Sequence, residues 1–290
     1  MDEKQAEIIL EVRNLSISFE SYDARLEKVA TTAIADLGVS LRRGEIFAVV
    51  GASGSGKSLL AHAVMGILPD NARLGGEMFY RGEPLTPERQ ARLRGREIAF
   101  IPQSVAFLDP LMRVGAQARG AAGRAAIGKQ RAAFAHFGLR RETEKLYPFQ
   151  LSGGMARRVL LSTAMITDAE LLIADEPTPG LDLEIALEAL KDFRALADSG
   201  KAALMITHDI DLALGVADAI AIFHEGRVVE TADTRSFSGE GEGLRHPYSR
   251  ALFRALPQNG FALERCPHCG ADSATWKVDE TDMRCGCGHA

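Results

Sequence analysis

A short apolar run, Glu45-Ile46-Phe47-Ala48-Val49-Val50, stops at a glycine, and that glycine opens the string Gly51-Ala52-Ser53-Gly54-Ser55-Gly56-Lys57-Ser58. Nothing else in the chain limits its fold so tightly. A β-rich run of this length reads as a parallel strand buried on both faces, and helical spacing takes over from Leu59 to Ile67. Strand, glycine loop and helix in that order make a phosphate-binding loop. Glycines let backbone N–H groups converge on phosphate oxygens with no Cβ in the way, and the helix turns its positive end to the same anion. Lys57 is placed to reach the terminal phosphates of a nucleotide and the Ser58 hydroxyl to ligate Mg²⁺. Gly51, Ser53, Gly54, Ser55, Gly56, Lys57, Ser58 and Leu59 are therefore the first candidate binding residues.

Leu171-Leu172-Ile173-Ala174 is a second strand-like run, and it ends in Asp175-Glu176. A buried strand there would carry Asp175 to the metal and leave Glu176 to polarise an attacking water. Acids that merely end a strand in solvent are common, so the phosphate loop is what tips the reading. Ala203 to Ile206 is a third run, with the helical stretch Leu183 to Leu196 before it, and the alternation implies parallel βαβ units. Ile8 to Phe19 reads as a strand, Glu20 to Lys28 as a polar loop, and a further strand ends near Leu41. Ala219 to Phe223 and Arg227 to Glu230 read as a hairpin around Glu225-Gly226. Between about 87 and 167 the composition shifts to Ala, Arg and Leu, which predicts a mostly helical subdomain inserted in the α/β core.

Leu151-Ser152-Gly153-Gly154-Met155 decides the class. Ser-Gly-Gly at a helix start is a second anion site. One chain needs no second site for one terminal phosphate, whereas two chains facing each other do. With this motif the chain resembles the ABC ATPase family, whose signature is LSGGQ; Met155 stands where the family has Gln. Gln103 in Ile101-Pro102-Gln103 resembles the Q-loop, Gly180-Leu181-Asp182 the D-loop, and His208 in Ile206-Thr207-His208-Asp209 the switch histidine.

The resemblance covers roughly residues 8–257. It implies a P-loop NTPase ABC cassette: a RecA-like α/β core with an antiparallel β subdomain and an inserted helical subdomain. It also implies a head-to-tail dimer holding ATP between the phosphate loop of one chain and Ser152, Gly153 and Gly154 of the other. By the same resemblance Glu176, His208 and Gln103 are catalytic, Ser58, Gln103 and Asp175 hold Mg²⁺, and Asp182 borders the nucleotide. Phe19 sits where the family stacks an aromatic on adenine, with Tyr22 as a rival, and Val105 to Met112 would face membrane subunits. Tyr147-Pro148-Phe149, Met155 and the run His246-Pro247-Tyr248-Ser249-Arg250-Ala251-Leu252 resemble the peptide and nickel importer branch. There two permeases and a second, different ATPase subunit are the expected partners, with an extracytoplasmic binding protein acting indirectly.

A net charge of -5 with scattered Lys and Arg argues against nucleic acid as a partner. No apolar run reaches the ~18 residues a membrane span needs, and the charged start at Met1 to Gln5 is no secretory signal. The expected location is the cytoplasmic face of the inner membrane, reached through the permeases. All four cysteines fall at Cys266, Cys269, Cys285 and Cys287, which reads as a pair of metal knuckles holding Zn²⁺ or, second, an iron–sulfur cluster. The expected division is a cassette over 1–235, a linker and extension over 236–264, and a Cys-rich tail over 265–290. Soluble ABC ATPases of DNA repair or translation, a metal-sensing regulatory ATPase and an exporter are the competing readings. Two cassettes or a long coiled-coil insertion, which the first would bring, are absent from the sequence.

Overall fold

Two long strands, β1 (Ile8–Tyr22) and β2 (Lys28–Arg42), pair antiparallel, and β1 takes β4 (Ala72–Tyr80) on its other side. In the computed structural model, which describes residues 7–22, 26–52, 54–239 and 241–256 and the backbone of 277–278 and 283–284, these strands form one wing of a ten-stranded sheet. A two-residue strand, β5 (Glu83–Pro84), closes the wing. The other wing is parallel: β9 (Ala219–His224), β3 (Ile46–Gly51), β8 (Ala202–Thr207), β7 (Leu171–Asp175) and β6 (Ile98–Ile101) lie side by side in that order. β10 (Arg227–Asp233) pairs antiparallel with β9 and meets β2 through a single bridge, Arg227 to Asp36.

The parallel wing is buried on both faces, as its unbroken apolar runs require. Along β3, Ile46, Ala48 and Val50 point to one core, while Phe47 and Val49 point to the other. α1 (Lys57–Met65) covers the second face through Leu60, Ala61 and Val64. The first face is covered by α5 (Gly153–Ile166), α6 (Leu183–Asp198) and α7 (Ile210–Val216), through residues such as Leu160, Phe193 and Ala213. No helix among the described residues is long and apolar enough to cross a membrane.

The segment 87–167 is helical with one exception. α2 (Pro87–Leu93), α3 (Val114–Arg119), α4 (Ile127–His136) and α5 are joined by short 3-10 turns. The exception is β6, which belongs to the sheet, so the helices that stand apart from it follow Ile101. The polar loop expected over Glu20 to Lys28 is partly strand, because β1 and β2 stay paired as far as Tyr22 and Lys28. Residues 236–243, expected to be a linker, include the buried Phe237, and Leu244 just beyond is buried too. α8 (Pro247–Arg254) follows, and its Phe253 packs on Phe237 with ring centroids 5.8 Å apart. Beyond it, β11 (Lys277–Val278) and β12 (Met283–Arg284) pair antiparallel.

Candidate functional site

The C-terminal ends of β3, β7 and β8 lie side by side, and each delivers part of one site. Gly51 ends β3 in contact with β9: a Cβ there would stand 2.2 Å from the Phe223 carbonyl oxygen. Gly56, at φ +104, turns the loop into α1 as its N-cap and offers no side chain to the helix N–H groups. Those donors are left for an anion. The Lys57 side chain is buried, and its Nζ donates to the carbonyls of Gly51 at 2.8 Å and Ala52 at 2.7 Å. Burial pushes its pKa down, against the pull of Glu176 and Asp175. Gly54 and Ser55 lie on the loop with Ser55 Oγ donating to Ala52 O at 2.7 Å, and Leu59 packs onto the core beneath. Ser53 lies outside the described residues.

Ser58 Oγ donates to Asp175 Oδ1 at 3.0 Å, across 117 residues of sequence. Burial raises the Asp175 pKa and the Ser58 hydrogen bond partly offsets it. A hydroxyl and a carboxylate side by side, next to a buried ammonium, form the oxygen-donor set that suits Mg²⁺. The adjacent Glu176 is buried and held at φ +48, a left-handed conformation that costs a non-glycine residue about 1 kcal/mol. Its carboxylate accepts from Nδ1 of His208, which lies 2.8 and 2.9 Å from its two oxygens. The His208 side chain is half exposed, so it faces outward over a buried acid.

Gln103 follows β6 with an exposed side chain. Its backbone is held: Nη1 of Arg157 donates to the carbonyls of Pro102 at 2.7 Å and Gln103 at 2.6 Å. Ser152 caps α5 by accepting from Met155 N at 3.2 Å, and both Ser152 and Gly153 are exposed, with Gly154 beside them. No hydrogen bond joins 152–154 to the phosphate loop among the described residues. Asp182 caps α6 with one carboxylate oxygen, taking Ile185 N at 3.0 Å, and receives Arg158 on the other at 2.7 Å. The Ile185 N–H bond, with Arg158 adding to it, holds its pKa below the usual carboxylate range. Phe19 is half-buried against the core beside the sheet wing, and Tyr22 is 65% exposed. Lys57, Ser58, Asp175, Glu176 and His208 thus come together, while Ser152, Gly153 and Gly154 make no hydrogen bond to any of them among the described residues.

Sequence reasoning passed over Arg157. The sign was available: Arg157 lies on the same helical stripe as Gly153, Leu160, Leu161 and Ala164, where a charge has no reason to be unless it is held.

Fold and site define a phosphate-loop nucleotide-binding domain. The ABC transporter family model matches residues 34–179, and the chain belongs to that family. It is 34% identical over 268 residues to the oligopeptide transport ATP-binding protein OppD of Salmonella typhimurium, covering 87% of this chain and 77% of that one. OppD of Bacillus subtilis is 32% identical over 86% of this chain and 72% of its own. Among solved structures, an ATP-binding subunit of an ABC transporter superposes with TM-score 0.65 at 26% identity, covering 79% of this chain and 91% of that one. A cassette dimer in a post-hydrolysis state with ADP and inorganic phosphate gives 0.68 at 21% identity, covering 78% and 99%, a likeness of fold.

Proposed function

We infer that the chain is the ATP-hydrolysing subunit of an importer for peptides, acting as one half of an ATP-sandwich dimer. One observation carries the reading. The phosphate loop gathers Lys57 and Ser58 with Asp175 and Glu176, and the Ser152 helix start is exposed and makes no hydrogen bond to that loop among the described residues. Two chains placed head to tail bring the two together. The cargo class comes from the relatives, which are named for oligopeptide and dipeptide transport; nickel has no comparable support.

In this reading Lys57 and the N–H groups of the loop would hold the phosphates, and Ser58, Asp175 and Gln103 would hold Mg²⁺, which would neutralise charge on the phosphates. Glu176 draws a proton from the attacking water, and the His208 imidazole keeps that carboxylate oriented until a terminal phosphate competes for it. Ser152, Gly153 and Gly154 close the site from the second chain, with Asp182 beside them. Phe19 is the adenine-stacking aromatic.

Val105, Phe107, Leu111 and Met112, just after Gln103, are exposed apolar residues. Phe107 also lines a cleft of about 700 Å³ together with Leu108, and this is the face assigned to the permeases. The partners are then two permeases and a second ATPase subunit, with a binding protein outside, and the chain works on the cytoplasmic side of the membrane. Cys266, Cys269, Cys285 and Cys287 lie outside the described residues. Their assignment to Zn²⁺ or an iron–sulfur cluster rests on spacing and on β11 and β12 pairing between the two cysteine pairs.

The test is a pull-down of the tagged chain from detergent-solubilised cells of its source. Two multi-span permeases and a second ATPase are the expected co-purifying proteins. Recovery of ribosomal or DNA-repair proteins without membrane subunits would overturn the importer and keep the ATPase.

A further inference from the structure

Arg157 is 4% exposed, and no carboxylate among the described residues is bonded to its guanidinium. Nη1 serves the carbonyls of Pro102 and Gln103, whereas Nε and Nη2 are buried with no hydrogen-bond partner among the described residues. An ionised group in that position is expensive to bury. The rest of its helical stripe is uncharged (Gly153, Leu160, Leu161 and Ala164), and an apolar side chain there would bring no charge to desolvate. Burial does press the charge toward neutrality, opposed by the nearby carboxylates of Asp175 and Glu176. What the arginine does with its one satisfied nitrogen is grip the two carbonyls that flank the Gln103 Cα, those of Pro102 and of Gln103 itself. The grip comes from the helix that Ser152 starts.

We propose that Arg157 is a positioning residue that ties Gln103 to the signature helix, so that movement of that helix and placement of the Gln103 side chain at the metal are one motion. The next residue strengthens the geometry. Arg158, turned about 100° further round α5, holds Asp182 at 2.7 Å. Adjacent arginines therefore connect one helix to the loop after β6 and to the loop before α6. The exposed Arg158–Asp182 pair is the weaker link, and the buried Arg157 grip is the stronger. When Ser152 and Gly153 engage the nucleotide of a facing chain, α5 shifts and Gln103 shifts with it.

This inference rests on the reading of Gln103 as a metal-site residue, and the test separates the two. Steady-state hydrolysis of Mg·ATP and thermal melting are measured for the full chain, Arg157→Met, Arg157→Lys, Gln103→Ala and the double variant Arg157→Met/Gln103→Ala. Arg157→Met removes the charge along with the grip. It should melt close to the wild-type temperature, the carbonyls left without a donor offsetting the relief of the buried charge, while kcat falls about tenfold and KM for ATP stays within about twofold. Arg157→Lys keeps a donor for one carbonyl and should recover most of kcat. It also serves as the second variant should Met pack badly. In the Gln103→Ala background, Arg157→Met should change kcat by less than about twofold, because the group it positions is gone. A full tenfold loss in that background, an unchanged kcat in Arg157→Met, or a kcat that falls only in step with melting temperature overturns the proposal. Gln103→Ala turning over like wild type would instead sink the reading of Gln103 itself.

Discussion

At the scale of single residues, the site is built where the backbone is least free. Glu176 holds a left-handed conformation that side chains rarely adopt, and the return is a buried carboxylate against His208 at the mouth of β7. Glu176→Gln keeps the shape but removes the base. ATP affinity should hold while hydrolysis drops at least ~100-fold, the lower end of what a general base contributes, as read by a phosphate-release assay beside equilibrium ATP binding. An undiminished rate would remove Glu176 from the chemistry. Gly51 shows the same tightness in pure packing. An alanine there must force β3 away from the Phe223 carbonyl, backbone against backbone. Gly51→Ala should cost about 1–3 kcal/mol, visible as a lower denaturant midpoint, and should weaken ATP binding because the loop starts from that residue. These positions could be read in the sequence, since glycine spacing and a strand ending in Asp175-Glu176 carry their chemistry in residue type. Arg157 could not be read so directly, because only tertiary packing shows that its carbonyl partners lie beneath α5.

Elements tell a different story, set by how much apolar pattern each one carries. β3, β7 and β8 are continuous apolar runs and were legible as strands. β6 has four residues inside a helical stretch, too few to show a period, and its place is fixed by pairing with β7. β4 contains Gly75 and Gly76, which supply no side chain to an apolar alternation, and no strand is expected there from the sequence. In the sheet they let β4 lie close to β1, where a Cβ on Gly76 would stand 2.4 Å from the Asn14 carbonyl oxygen. α8 was legible as a motif without a structure. His246 caps it by accepting from Tyr248 N at 3.1 Å, and the Tyr248 ring packs 4.0 Å from His224 on β9. In the helical subdomain, Arg131 of α4 makes a two-pronged bond to Glu144 at 2.8 and 2.9 Å. The Arg131 hydrogen bond holds the Glu144 carboxyl below its ordinary pKa. A depressed carboxylate contributes stability above its unfolded value, about 4.3, and loses it as pH falls through the folded value. Glu144→Gln should therefore melt below wild type at pH 7, by about 0.5–1 kcal/mol for a pair this exposed on the arginine side. The difference should close as pH is lowered below about 4. A gap that stays constant into acid would show that Glu144 acts by packing rather than charge.

At the scale of the whole molecule, the arrangement of anion sites makes a prediction that no single element does. The phosphate loop and Ser152 both open a helix with donors suited to phosphate, yet no hydrogen bond joins them among the described residues. Neither alone surrounds a terminal phosphate. If the second site is completed in trans, the affinity between chains must depend on nucleotide, and it must last only as long as the nucleotide stays intact. Mixed with the second ATPase subunit that co-purifies with it, Glu176→Gln with ATP and Mg²⁺ should therefore run as a two-chain species in size-exclusion chromatography with light scattering, and as separate chains without nucleotide. Adding Ser152→Arg to the same protein places a bulky side chain at the exposed helix start, far from the Lys57 loop in bonding terms. ATP should still bind, since every group that contacts it in cis is present, but the two-chain species should disappear. Loss of ATP binding along with the dimer would mean that Ser152 serves its own chain's nucleotide. A dimer that survived the arginine would mean the pairing surface lies elsewhere. Either result would leave the phosphate loop and its acids as described and would require the two chains to be arranged in another way.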